Sequence, residues 1–389
     1  MQKTCYILVM LLAVGTSAQT ALYNSGNLRI HEQGQLGFHT NLINEAPFDT
    51  NLGLAGFYST ESLAVSGTFV PLFYDVEIMV ENGLDLALGV DAVNGTNFIL
   101  GDIKTPRNQD AIFFTFLDNP SFYLGEGDGN KIDGYAAITN KQHFIFPIGD
   151  DTYLRPLSLS SESTNLFAKC AYFFEDPNTP VSISGNFDTN NKARDVELVS
   201  TSEFWRLEST VVSTVNVSWN ARSSMERLTE DSTTIVLLGW SKLGNRWENL
   251  GATSVLGNLE QGFITSNSFL PSDYEMITLG SSKIPFEPLE REVVSLENYF
   301  VSPNGDGIND TFIVPELADS PNNIVAIYDR YGIKVFEKSN YTNDFSGTAN
   351  TGDAIINRNQ GLPPGIYFYT IFMIDLNLDY QGFLYLTDK

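Results

Sequence analysis

The feature that most constrains this chain is its supply of short apolar runs, each bounded by Gly, Asn or Asp. In one of them Leu84, Leu86, Leu88 and Val90 occupy alternate positions, which puts all four side chains on one face of a strand. Apolar residues at helical spacing are scarce. Alternation over short segments closed by turn residues predicts strands, so the sequence predicts an all-β protein.

The first part of the mature chain, residues 19–145, reads as a β-rich domain of short strands. Many of these strands follow a Gly or Asn turn, as in VSGTFV and NGTNFILGDI. Short turn-and-strand units of this kind either stack as a β-solenoid or close into a sandwich. The spacing of the units is irregular, so the sequence leaves both architectures open.

Residues 146–280 form a second unit, which we interpret as a β-sandwich with longer strands. It begins at FIFPIGDDTYLRPLSL, where Pro147 and Pro156 flank an acidic turn. The following segment, residues 281–297, reads SSKIPFEPLEREVVSLE and shows little alternation. We interpret this segment as a linker to a further domain.

Residues 1–18 have the pattern of a secretory signal peptide. Lys3 precedes a short apolar run, and Thr16 and Ala18 stand at the spacing that signal peptidase requires. The run is too short to cross a membrane as a helix. Cleavage after Ala18 removes Cys5 and leaves Cys170 alone, so we expect no intrachain disulfide and a buried Cys170 that packs as a small apolar residue.

The composition excludes two broad classes of protein. The 47 Asp and Glu outnumber the 22 Lys and Arg, for a net charge of −25, which opposes binding to nucleic acid. The 27 Phe and 17 Tyr argue against disorder, because disordered chains carry few aromatic residues.

The C-terminal residues 298–389 contain two predicted β-hairpins and several motifs in a fixed order. Residues 324–328 and 333–336 flank DRYG, and residues 366–374 and 383–386 flank DLNLDYQG. The motifs are SPNGDGINDTF, PNNIVAIYDRYGIKVFE, Tyr341 followed by Phe345 and Gly347, LPPGIYFY, and the terminal GFLYL. The chain stops where the last strand ends, so that strand is expected to belong to the core.

These motifs resemble the gliding motility-associated C-terminal domain, the type B sorting domain of the type IX secretion system in gliding Gram-negative bacteria. The sequence departs from the family at Phe345, where Trp is usual, and at the ending TDK, where a basic residue is usual soon after the last strand. The matched motif residues are Pro303, Asn304, Gly305, Asp306, Gly307, Asn309, Asp310, Tyr331, Gly332, Pro363, Gly365 and Tyr367.

The resemblance implies a fold, partners and a location. It implies an immunoglobulin-like sandwich that the type IX translocon recognises after Sec export through the periplasm. It also implies a partner of the PorP/SprF family, an outer-membrane β-barrel that holds such proteins at the cell surface. Stretches such as GFHTNLINEAPFDTNLGLAGFY are similar to surface proteins of the same bacteria, which supports the same location.

The best candidate metal site is the segment PNGDGIND. Asn304, Asp306, Asn309 and Asp310 place oxygen atoms around two glycines, as a calcium loop does. The structural alternative is an Asx-rich turn, in which Asn and Asp bond their own backbone. The small number of carboxylates favours the turn. We expect no other cofactor.

No catalytic motif stands out. His31, His39 and His143 have no metal-ligand spacing, and the chain lacks HExxH, GxSxG and P-loop patterns. We therefore expect a non-enzymatic surface protein, adhesin-like or accessory to motility or secretion, with surface polysaccharide or other motility proteins as further partners. The alternative is a secreted polysaccharide hydrolase, which needs only two suitably spaced carboxylates.

Overall fold

The computed structural model describes residues 21–26, 28–118, 121–285, 292–295, 299–351, 361–376 and 378–387. The predicted signal peptide lies outside these residues. The described chain is almost entirely β-structure, as the sequence predicts. Its helices are short 3-10 turns at Ala221–Ser223, Met225–Arg227, Ser232–Thr234, Pro271–Asp273 and Pro315–Asp319.

The N-terminal region is a β-solenoid, which decides between the two architectures that the sequence leaves open. Its strands stack in three parallel sheets. The first sheet contains β1 (Ala21–Asn24), β3 (Asn41–Asn44), β5 (Leu63–Gly67), β8 (Leu84–Leu86), β11 (Ile103–Lys104), β14 (Ile132–Asp133) and β17 (Ile148–Gly149). The second contains β2 (Gln35–Phe38), β4 (Leu54–Ser59), β7 (Asp75–Val80), β10 (Gly95–Leu100) and β13 (Phe122–Leu124). The third begins with β6 (Leu72–Phe73), β9 (Val90–Ala92), β12 (Phe114–Phe116) and β15 (Tyr135–Ile138).

Alternation along the solenoid strands separates a packed interior from an outer surface. In β7, Val76, Ile78 and Val80 are buried, whereas Asp75 and Glu77, at the alternate positions, are half-buried on the outer side. Similar residues of successive coils stack on each other: the ring centres of Phe38 and Phe57 lie 4.7 Å apart. Each coil therefore buries its apolar face only by contact with the next coil.

The second unit is a two-sheet sandwich that continues the solenoid without a break in the hydrogen bonding. β15 pairs antiparallel with β19 (Ala168–Phe173), which extends the third sheet through β21 (Phe204–Ser209), β27 (Tyr274–Ser282), β23 (Ile235–Ser241) and β24 (Arg246–Gly251), with β20 (Val196–Val199) beside β27. The facing sheet contains β16 (Lys141–Phe146), β18 (Leu157–Asn165), β22 (Ser213–Trp219), β26 (Gly262–Thr265) and β25 (Ser254–Gly257). One hydrophobic cluster runs through the solenoid and both sheets. The division at residue 145 stays a prediction.

Cys170 is buried in β19 as expected, and burial raises the pKa of its thiol well above the usual range.

The C-terminal region forms a separate sheet of β28 (Glu292–Ser295), β29 (Tyr299–Val301), β30 (Asn323–Tyr328), β31 (Lys334–Ser339), β32 (Gly365–Met373) and β33 (Leu378–Leu386). Both predicted hairpins are present. The last strand begins at Leu378 rather than at residue 383, because Leu378 and Tyr380 pack against the core of this region. The described strands lie in one sheet, so the immunoglobulin-like sandwich stays a prediction, as does the linker, part of which forms β28.

Candidate functional site

Residues 302–310, which contain PNGDGIND, form a loop organised by its own carboxylates. Asp310 accepts the Gly305 N–H at Oδ1 (2.7 Å) and the Gly307 N–H at Oδ2 (2.8 Å). Asp306 Oδ1 accepts the Ile308 N–H at 2.8 Å. These bonds are the Asx-turn pattern, which satisfies the carboxylates without a metal. The calcium site at Asn304, Asp306, Asn309 and Asp310 stays a prediction.

This loop projects from the core while its two ends are fixed. Residues 304–309 are exposed, and the Ile308 side chain is 67% exposed. Pro303 is half-buried beside Val301, whose strand pairs with the end of β33. Phe312, just after the loop, is buried in the core. The loop is therefore presented to solvent in a defined shape.

The turn between β30 and β31, residues 329–332, is organised in the same way. Asp329 Oδ1 accepts the N–H groups of Tyr331 (2.8 Å) and Ile333 (2.9 Å). Gly332 has a φ of 81°, and a Cβ atom there would lie 2.5 Å from Cγ of Phe263 in the sandwich. Unlike the loop, this turn lies directly against the rest of the protein.

An aromatic contact joins the C-terminal region to the sandwich beside that turn. The Phe263 ring lies 5.4 Å from the Phe368 ring and 5.3 Å from the Tyr328 ring, with Leu256 and Phe383 in the same cluster. We call these five residues the docking cluster. Phe263 and Phe368 are 1% and 2% exposed, so water is excluded from the centre of the contact.

Charged groups surround the docking cluster on the solenoid side. Arg330 Nη2 lies 3.6 Å from Asp128 Oδ2, which joins the turn to the solenoid segment 125–134. Burial, with the negative charge of Asp329 nearby, raises the pKa of Glu126 to about 7. Burial also raises the pKa of Asp329 to about 6. Glu126 and Asp329, two carboxyl groups that resist ionisation, therefore lie where the solenoid meets the C-terminal region.

The remaining motif residues support the core of the C-terminal region. Tyr367 is buried, and its Oη donates to the Pro363 carbonyl at 2.7 Å. Gly365 begins β32 with a φ of 155°. Tyr341, which is not among the predicted site residues, donates from Oη to Phe312 O (2.6 Å) and accepts the Phe345 N–H (3.0 Å). Phe345 is 1% exposed, so Phe fills the position where the family usually has Trp.

A second candidate site is an open groove of about 830 Å³ on the outer face of the second solenoid sheet. Its polar side chains include Gln35, Asp75 and Asn97, which come from three different coils. No sequence motif marks this groove, because the contributing strands are separated along the chain. The available signal is the outward polar position in each alternating strand, such as Asp75 and Glu77 in DVEIMV.

A third polar cluster is structural. Arg155 Nη2 lies 2.8 and 2.7 Å from the two oxygens of Glu203, and Tyr172 Oη donates to Glu203 at 2.6 Å. Arg155 and Glu203 are 2% and 1% exposed, so a substrate cannot reach them. Among the described residues, no three His, Cys, Asp or Glu side chains form a group that could hold a metal ion.

Comparison with known proteins assigns the C-terminal region. Residues 294–386 match the family model of the CHU_C type IX secretion signal domain. No curated protein and no solved structure matches the chain. The protein thus carries a C-terminal sorting domain of the type IX secretion system, where the sequence predicts one. This domain implies export by the type IX machinery to the cell surface or the extracellular space.

In the part of the chain that the structure covers, no helix is long and apolar enough to cross a membrane.

Proposed function

We propose that the protein is a non-enzymatic surface protein of a gliding Gram-negative bacterium, adhesin-like or accessory to motility or secretion. The type IX machinery exports it, and a PorP/SprF-like outer-membrane β-barrel holds it at the cell surface. The observation that carries this proposal is the match of residues 294–386 to a type IX secretion signal domain. Sorting domains are address labels, so the role of the remaining chain rests on its own surface.

The proposal also assigns the translocon contact to the exposed loop at residues 304–309. The opposite candidate, the turn at residues 329–332, is covered by Phe263 and the solenoid. The loop is preorganised by Asp310 and presents Ile308, so its binding to a protein partner requires little ordering of the chain.

The alternative function is a polysaccharide hydrolase, and the outer face of β7 is the observation that favours it. Asp75 and Glu77 are two positions apart on one strand, so their carboxylates lie on the same side of the sheet. Glu77, however, accepts bonds from Tyr58 Oη at Oε1 (2.7 Å) and Asn97 Nδ2 at Oε2 (3.1 Å). With both oxygens engaged as acceptors, Glu77 is poorly placed to donate a proton to a leaving group.

The export proposal is tested by deleting residues 299–389 and locating the product by cell fractionation and by protease added to whole cells. We expect the truncated protein to stay in the periplasm, whereas the full chain and a full-length Asp75→Asn control reach the surface. Efficient surface delivery of the truncated protein would contradict the proposal.

The anchoring proposal is tested by crosslinking whole cells and purifying the full chain from outer membranes. We expect a β-barrel protein to be recovered with it. Complete release of the full chain into the medium would refute anchoring and leave export intact.

A further inference from the structure

The groove on the second solenoid sheet has the dimensions and position of a ligand site. At about 830 Å³ it falls within the range of small-molecule and cofactor pockets. The cavities beside the C-terminal region are smaller, at about 320 and 300 Å³. The groove crosses the strands, because Gln35, Leu54 and Asp75 on adjacent coils are in register.

The polar side chains of the groove are held in place by neighbouring side chains. Asp75 Oδ1 accepts bonds from Asn94 Nδ2 (2.7 Å) and the Gly95 N–H (3.0 Å). The hydrogen bonds described for Asp75 end on Oδ1, which leaves Oδ2 able to accept one from a ligand. Asn97 donates to Glu77 and retains its Oδ1 as an acceptor. Such support from a second layer of side chains is typical of binding sites.

Tyr58 fixes this arrangement from the outer side. Its Oη donates to Glu77 at 2.7 Å. Burial and the bond to Glu77 raise the pKa of Tyr58 to about 12, so the phenol keeps its proton at physiological pH. Glu77 and, through it, Asn97 therefore stay in one orientation.

Apart from Gln33 and Thr96, the rest of the lining is apolar or glycine. Leu54, Phe122 and Leu124 are half-buried, and Leu52 is 45% exposed at the rim. Gly34, Gly53, Gly95 and Gly125 also line the groove, and a Cβ atom on Gly53 or Gly125 would lie within 2.3 Å of a backbone carbonyl of the protein. The groove thus combines an apolar contact surface with a few fixed acceptors.

We propose that this groove binds a neutral oligosaccharide laid across the coils. Sugar hydroxyls donate to Asp75 and Asn97, and the apolar C–H faces of the sugar rings pack on Phe122 and the leucines. Adjacent coils lie about 4.8 Å apart, so an extended oligosaccharide laid across them contacts several coils at once. The inference deepens the proposed adhesin-like role, on which it rests, by naming the class of ligand.

Two other classes of ligand fit this site less well. Phosphorylated or nucleic-acid ligands would meet the negative charges of Asp75 and Glu77 on the same face. A peptide strand adds to the edge of a sheet, whereas this groove lies across its face.

The test is calorimetric titration of the purified mature chain with cellohexaose, laminarihexaose, xylohexaose, mannohexaose and maltohexaose. We expect at least one of these to bind, and Asp75→Asn and Asn97→Ala each to weaken that binding about tenfold, the order expected for losing a hydrogen bond to a charged or fixed polar group. Asp85→Asn, an exposed carboxylate on the first sheet, is the matched control and should bind like the parent. Thermal melting confirms that each variant is folded.

Three outcomes overturn the inference: binding of none of the five probes, undiminished binding by both groove variants, or tighter binding of a phosphorylated hexose oligomer. Cleavage of a bound probe that is lost in Asp75→Asn supports the groove but replaces the non-enzymatic role by the hydrolase. Export is measured separately in cells, so periplasmic retention of the full chain refutes the surface role and leaves the binding result intact.

Discussion

In two turns of the sorting domain an Asp side chain accepts backbone N–H groups, but one turn is exposed to solvent and the other is packed against the sandwich. Asp310 accepts two N–H groups within the loop at residues 302–310, and Asp329 accepts those of Tyr331 in the turn at residues 329–332 and of Ile333 just after it. Gly307 and Gly332 adopt nearly equal φ angles of 83° and 81°. A Cβ atom on Gly332 would strike Phe263, whereas one on Gly307 would meet nothing within 4 Å.

This difference teaches that local sequence sets the shape of a turn but not its role. The turn against Phe263 attaches the sorting domain to the rest of the protein, and the free loop is available to a partner. The sorting domain is therefore a docked unit that presents one end, rather than a label carried free on a linker.

The largest expected effect comes from placing valine at each glycine. Both variants force a β-branched residue to positive φ, which costs about 1 to 3 kcal/mol. Gly332→Val also clashes with Phe263, so we expect its free energy of unfolding to fall by more than about 3 kcal/mol and the undocked sorting domain to unfold in a separate transition. Gly307→Val should show only the cost of the strained backbone. Scanning calorimetry of the full chain measures both. Equal losses would remove the distinction between the two turns.

A slightly smaller effect is expected from the other side of the contact. Phe263→Ala empties the centre of the docking cluster, and we expect a loss of about 3 kcal/mol, within the range for buried Phe. Phe300→Ala is the matched control, because Phe300 lies in the sorting-domain sheet and is 48% exposed. This variant should lose no more than about 1 kcal/mol of unfolding free energy. Denaturant unfolding measures both, and similar losses would show that the docking cluster carries no special share of the stability.

The sequence predicts most of this fold because strand alternation is local information. It predicts the all-β class and the two C-terminal hairpins, and the motif order identifies the sorting domain. It does not decide whether the N-terminal region is a solenoid or a sandwich, because the strands recur at irregular spacing. Contacts between coils, such as the stacked rings of Phe38 and Phe57, appear only in the structure. The groove and the docking cluster depend on residues far apart in the chain, such as Phe263 and Phe368, so no single motif encodes them.

A moderate, pH-dependent effect is expected at the docked turn. The raised pKa values of Glu126 and Asp329 mean that the folded protein binds these protons more tightly than the unfolded chain does. The free energy of unfolding should therefore fall as the pH rises from 3.8, the ordinary pKa of Asp329, to about 7 and then level off.

The check is Glu126→Gln, which stays neutral at every pH. We expect the free energy of unfolding of this variant to equal that of the parent near pH 4. At pH 8 it should be larger by about 1 to 2 kcal/mol, after allowance for the partial exposure of the side chain. Glu81→Gln, at an exposed position, should leave the pH profile unchanged. A parent profile that stays flat from pH 4 to pH 8 would contradict the assigned electrostatics.

The smallest effect is expected in the free loop. Asp310→Asn keeps an acceptor for Gly305 but loses the one for Gly307, a cost of about 1 kcal/mol. If the loop is an Asx turn, Asp310→Asn should destabilise the protein equally in chelator and in millimolar calcium, and the parent should melt at the same temperature in both. If it is a calcium site, calcium should raise the melting temperature of the parent and much less that of the variant, because Asp310 supplies one of its few carboxylates. We expect the first result, since the Asp310 oxygens already serve the backbone that positions the loop.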